Sequence, residues 1–150
     1  MILLIMTLVF RSVTGGLLAT LPMVASVIMM FGLMGYLDIP LNMTTSMLTG
    51  ILVGVGVDYT VHFLWHLREH IKSGDSLDDA IATTLRISGK GILFNGLSVI
   101  IGFSALLFSV FVPVQIFGIL VMGSISLCLF GALATLPALI SLINPKFLYR

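Results

Sequence analysis

Four apolar runs, each long enough to cross a lipid bilayer as a helix, dominate this chain of 150 residues. A hydrocarbon core about 30 Å thick takes about 20 apolar residues at about 1.5 Å of rise each. Runs of at least that length cover about 13–37, 43–65, 91–112 and 114–143. Lipid offers no hydrogen bonds, so the backbone of such a run must satisfy its own N–H and C=O groups, as a helix does. The expected fold is therefore all-α, a polytopic membrane helix bundle. Composition agrees, with 59% hydrophobic residues, 9% charged and a mean hydropathy of +1.21, where a soluble domain carries about 25% charged residues. Disorder is excluded by the same hydropathy. Seven Lys and Arg against six Asp and Glu leave no basic surface for nucleic-acid phosphates. The one cysteine, Cys128, lies in an apolar stretch, so no intrachain disulfide or thiolate cluster is expected and it reads as a small buried hydrophobe.

A shorter apolar run, 1–10, stops at Arg11 and reaches only about 15 Å as helix, half a bilayer. It has neither the basic start nor the small-residue cleavage site of a signal peptide, and it reads as the truncated end of a longer helix. The connections are of two kinds. All seven Lys and Arg (Arg11, Arg68, Lys72, Arg86, Lys90, Lys146, Arg150) lie in Arg11-Ser12, in 66–90 or in the tail 144–150, whereas the proline turns at 38–42 and around Pro113 carry only Asp38. The positive-inside rule makes the first set and the C-terminus cytoplasmic. Within 66–90, Ser76-Leu77-Asp78-Asp79 resembles a capping box, with Arg86 and Lys90 toward the far end. A separate cytoplasmic helix over about 76–88, lying on the inner membrane surface, is the expectation. Pro22 and Pro137 inside spans predict kinks, and Asn95, Ser98 and Gln115 predict hydrogen bonds between helices worth ~0.6 kcal/mol each.

One ionisable residue sits deep in a span: Asp58, in Gly54-Val55-Gly56-Val57-Asp58-Tyr59. A carboxylate at that depth costs at least a few kcal/mol and marks a functional site by default. No Lys or Arg lies at matching depth, so desolvation disfavours the charged form and the group can load and unload a proton. Gly50, Gly54 and Gly56 leave room around it for a partner helix. Tyr59 points about 100° away from Asp58, which suits an acid on another helix and suggests reciprocal pairing of two such motifs. The alternative is that Asp58 only holds helices together by a buried hydrogen bond. His62, one turn on, shares the Asp58 face and can pass a proton from cytoplasmic water, or can equally be a neutral histidine satisfied at the interface. His66 and His70 continue the series but fall at the membrane edge among Arg68, Glu69 and Lys72, so no metal site and no cofactor are expected. An intramembrane aspartyl protease would need a second acid to share acid and base roles, so no catalytic residues and no enzymatic activity are expected.

Phe10-Arg11-Ser12, Gly32-Leu33-Met34-Gly35, Ile39-Pro40-Leu41-Asn42, the stretch GVGVDYTVHF with Arg68-Glu69 after it, and later Gly102-Phe103, Ser109, Phe117-Gly118 and Leu136-Pro137-Ala138 together resemble the membrane domain of RND-superfamily exporters. The branch is the MmpL-like one, related to sterol-sensing-domain and Patched-type proteins, and the resemblance covers nearly the whole chain. It implies a proton-driven exporter of lipids or other hydrophobic molecules in the bacterial cytoplasmic (inner) membrane. Asp-Tyr pairs from two pseudo-symmetric halves would form its proton relay, with Asp58 and Tyr59 as this half's share. The expected partners are the lipid bilayer, protons, a hydrophobic substrate and the other transmembrane half. One motif stands here where the family has two, and the first helix and the large extracytoplasmic domain are missing. The five segments thus correspond to helices two to six of one half, and the short basic tail favours the C-terminal half. A sterol-sensing-like lipid sensor without proton coupling is the alternative that the same resemblance allows.

Overall fold

A computed structural model of the chain describes residues 6–8 and 12–143. Of the expected short helix 1–10 only residues 6–8 are described, as helix; the rest of it and the basic tail 144–150 lie outside the described residues. The order is α1 (Val13–Tyr36), α2 (Met43–Lys72), α3 (Leu77–Ser104), a 3-10 turn (Ala105–Phe108), α4 (Val112–Phe130), a π-helical segment (Gly131–Thr135) and α5 (Leu136–Ile143). Four helical stretches are long and apolar enough to cross a membrane: Val13–Tyr36, Thr45–Lys72, Leu77–Phe108 and Val112–Ile143. The chain is an all-helical membrane protein, and among the described residues there is no strand.

Local chemistry sets the helix ends. Asn42 and Thr45 form a reciprocal capping box at the start of α2: the Thr45 N–H donates to Asn42 Oδ1 at 2.9 Å and the Asn42 N–H to Thr45 Oγ1 at 2.8 Å. At the α3 start, Ser76 Oγ accepts from the Asp79 N–H at 3.3 Å and donates to Asp79 Oδ2 at 2.6 Å. Ser76 thus caps as expected, but Asp79 binds the Ser76 hydroxyl in place of its backbone N–H. Between α1 and α2, Asp38 takes the left-handed conformation, φ 53°, which Asp tolerates at a helix C-terminus. Gly74, φ 102°, ends α2 in the same way, and a 3.3 Å His70 Nδ1–Asp75 Oδ2 contact spans the turn.

In lipid the hydrophobic effect does not drive helices together, so close packing and small residues must. α2 and α4 form the central pair and both contact α1 and α3, which lie on either side. Leu48, Leu52, Phe63, Leu64 and Leu67 of α2 meet Leu120, Val121, Ile125 and, farther on, Leu136 and Ile140 in one buried cluster. Glycine sets the approach. A Cβ on Gly96 of α3 would lie 2.5 Å from Leu129 of α4, and one on Gly118 of α4 would lie 2.9 Å from Leu106 Cβ. Cys128 is buried, its Sγ 3.7 Å from the Leu52 carbonyl.

Two expectations change, and a third gains a local cause. The separate helix over 76–88 and the span from 91 are one unbroken helix, Leu77–Ser104, with a length of about 42 Å that exceeds the hydrocarbon core. Its first turns pack with the end of α2, where Leu67 and Ile71 share a buried cluster with Ala80 and Thr84 is buried as well. Gly89-Lys90-Gly91 reads as a break because each glycine costs about 1 kcal/mol in a helix. Gly89 is nonetheless buried beside Leu133, and tertiary packing carries the helix through. Secondly, the π segment Gly131–Thr135 stands directly before α5, two residues ahead of Pro137; its wider turn accommodates the carbonyl at position 133 that the ring would otherwise strike. Thirdly, Ser98 and Gln115 bond locally, to Phe94 O at 2.8 Å and Ser109 O at 2.7 Å, because hydroxyls and amides find a nearby carbonyl at no cost in helix placement.

Candidate functional site

The apolar side of α2 turns Leu52, Tyr59, Phe63 and Leu67 inward, so the four-residue series Gly50, Gly54, Asp58 and His62 turns outward. Asp58 Oδ1 lies 3.6 Å from His62 Nε2, with the side chains 57% and 63% exposed. The separation is past hydrogen-bond length, and an exposed pair of this kind contributes only about 0–1 kcal/mol. Among the described residues Asp58 makes no contact of this kind with another helix. It has one histidine neighbour on its own helix and an open face.

Beside that face, α2 and α3 part to form a cleft of about 240 Å³. Asp58, Tyr59, His62 and His66 line it from α2, and Ser88, Gly91, Ile92 and Asn95 from α3. The two helices are joined by the turn at 73–76 and run antiparallel, so Asp58 and Asn95 mark the end far from the turn and His66 and Ser88 the near end. From Asp58 to His66 is about 12 Å along the helix axis. Tyr59 is 2% exposed, yet its hydroxyl has no hydrogen-bond partner. Ser88 Oγ, across the cleft, is likewise buried and unpartnered.

The histidines do not converge. His62 faces Asp58, His66 Nδ1 is 3.6 Å from Glu69 Oε2, and His70 pairs with Asp75. Each has a separate carboxylate one turn away or across the following loop. Among the described residues no three His, Cys, Asp or Glu side chains gather as a metal ion requires.

Of the residues singled out in the sequence, Asp58, Tyr59 and His62 come together at one cleft. The three glycines separate. Gly56 is buried, and a Cβ there would lie 3.1 Å from Met23 and 3.3 Å from Cys128, so it admits α1 and α4. Gly50 and Gly54 meet nothing within 4 Å and extend the outward strip that carries Asp58. Tyr59 borders the cleft from its buried position in the core, with no acid from another helix among the cleft-lining residues. Sequence reading missed the α3 wall. Ser88 counted there as part of a surface helix and Gly91 as the start of a span, and only the antiparallel α2–α3 hairpin brings them opposite the histidines.

The sequence matches the model of the MMPL family over residues 1–148. It is 32% identical over 139 residues, 93% of this chain, to a protein of Methanocaldococcus jannaschii whose name describes it as a membrane protein. The chain spans 36% of that relative's length. No solved structure matches it.

Proposed function

The chain belongs to the MMPL family, and from that premise we propose that it supplies one half of the membrane engine of a proton-driven exporter of lipids or other hydrophobic molecules. Asp58 is the proton carrier, Tyr59 its hydroxyl neighbour and His62 a proton relay on the cytoplasmic side. The observation that carries this reading is the placement of the single acid found inside an apolar run. It lies on an outward strip of α2 with Gly50 and Gly54, bound to no other helix among the described residues and beside a polar cleft. A carboxyl so placed changes its surroundings when it changes charge. Neutral, it tolerates lipid or an apolar partner; ionised, it demands water or a donor, and that difference biases helix packing. The outward strip is where the second transmembrane half of the complete exporter docks, bringing a donor or acid within reach of this motif. The C-terminus lies on the cytoplasmic side of the membrane in this reading, which the distribution of Lys and Arg supports.

The test uses the complete protein in proteoliposomes, with lipid export followed under an imposed pH gradient. Collapse of the gradient with a protonophore stops export, and Asp58→Asn abolishes it without loss of membrane insertion. Lipid binding that persists with no gradient-dependent export in the wild type would replace the exporter with a sensor. Export by the Asp58→Asn protein would refute the proton-carrying role.

A further inference from the structure

We propose that the groove which Trp65, Arg68, Glu69 and Lys72 form at the end of α2 holds the phosphodiester headgroup of an anionic phospholipid of the cytoplasmic leaflet. The proposal takes its side of the membrane from the orientation given above and does not depend on Asp58 carrying protons.

The apolar run of α2 ends at Trp65, and Arg68 and Lys72 follow it at helical spacing, so the three share one face. Arg68 lies about 4.5 Å past Trp65 along the axis and Lys72 about 10 Å. Headgroups occupy about 5–7 Å on each side of the hydrocarbon, which places Arg68 within that layer and Lys72 at its outer border. Trp65 is 57% exposed, and an indole at the end of an apolar run sits where acyl chains give way to headgroups. The groove measures about 240 Å³, room for a phosphate group and several waters at about 30 Å³ each.

Neither cation of the groove has a carboxylate partner. Among the described residues the contacts between opposite charges all belong to histidines, and Arg68 and Lys72 take part in none of them. Glu69, which also lines the groove, has its Oε2 3.6 Å from His66 Nδ1, on the side of the α2–α3 cleft. Arg68 is half-buried, and its Nε is enclosed without a partner. The stem and inner nitrogen are thus packed, and the two Nη groups are the donors that an incoming anion meets. An end-on fork through both Nη groups grips two phosphate oxygens with no access to Nε. Lys72, exposed, adds a point charge on a flexible stem. Two cations against one carboxylate leave the groove net positive, which favours an anionic headgroup over a zwitterionic one. Trp65 favours a lipid over an acidic peptide, because its exposed ring at the hydrocarbon border receives acyl chain that a peptide does not carry.

Phosphatidylglycerol and phosphatidylcholine, each titrated onto the purified complete protein in a neutral detergent and counted as bound lipid by native mass spectrometry, test this. Phosphatidylglycerol binds at least about tenfold more tightly than phosphatidylcholine, and Arg68→Gln with Lys72→Gln lowers its affinity at least about tenfold. Arg68→Lys keeps the charge and loses the fork; it lowers the affinity about threefold or more and decides the matter if the double variant fails to fold. Arg86→Gln with Lys90→Gln removes as much charge from exposed positions of α3 outside the groove and changes the affinity less than about twofold. An equal loss from that α3 pair would reduce the interaction to general surface charge. Displacement of the lipid by millimolar inorganic phosphate would make the groove a site for free phosphate. Equal binding of the two lipids, or an unaltered affinity in the Arg68 and Lys72 variants, would remove the site and leave the groove to the second half. Binding is read without export or a gradient, so this site and the proton relay fail separately.

Discussion

Tyr59→Phe separates the chemical use of a residue from its packing. The ring is 2% exposed and contributes to the central cluster with Phe63 and Leu52, and phenylalanine preserves that contact. The hydroxyl makes no hydrogen bond to the protein. A buried hydroxyl left dry costs about 1–3 kcal/mol, whereas one bonded to water contributes about 1 kcal/mol net. Removing it therefore changes stability by about −1 to +3 kcal/mol, with neutrality or a gain expected if the cleft is dry. Tyr59→Ala instead loses the ring and opens a cavity, at a cost of about 3–5 kcal/mol. At about 2–4 °C per kcal/mol for a chain of this size, thermal melts in detergent distinguish the two. The expected outcome is a Tyr59→Phe protein that melts within a few degrees of wild type and does not couple export to the proton gradient. Export at the wild-type rate would refute a role for the hydroxyl in the relay. A loss of stability as large as that of Tyr59→Ala would refute the view that no structural hydrogen bond is made there.

Asp58→Asn changes stability by no more than about 1 kcal/mol, because the His62 contact is long and exposed; denaturation midpoints check this, and a loss of several kcal/mol would make the acid a structural clamp. Gly118→Val is destabilising by about 1–3 kcal/mol, since its Cβ would press on Leu106 Cβ and stand 3.3 Å from the Phe103 carbonyl; an unchanged melting temperature would contradict the close α3–α4 approach. Gly54→Val, which meets nothing in this chain, leaves the fold of this half intact and weakens its association with a second half, read by crosslinking across that face. Asn42→Ala costs about 0.5–2 kcal/mol and raises amide hydrogen exchange over the first turn of α2, where the capping box sits.

The membrane class and the helical spans were legible in the sequence, because an apolar run in lipid has one backbone solution and its length has to match the bilayer. The sharing of a face by Asp58 and His62 was legible too, since a spacing of four residues is a local property of the α-helix. The continuity of α3 through Gly89-Lys90-Gly91 was not, because glycine's local preference against helix is opposed by packing beside Leu133, which depends on the neighbouring helix. The same holds for the π turn before Pro137, which spreads the misfit of one residue over the segment preceding it.

Local rules determine which residues are helical and which lie on one face of one helix. They do not determine how a helix is rotated about its axis or how far it slides along its neighbour. Tertiary packing decided that Tyr59 points inward beside an outward Asp58, that Gly56 admits neighbours while Gly54 faces away, and that Ser88 and Asn95 come opposite the histidines. Rotation and register are set by which side chains interlock between helices, and hydropathy does not encode them when nearly every side chain is apolar.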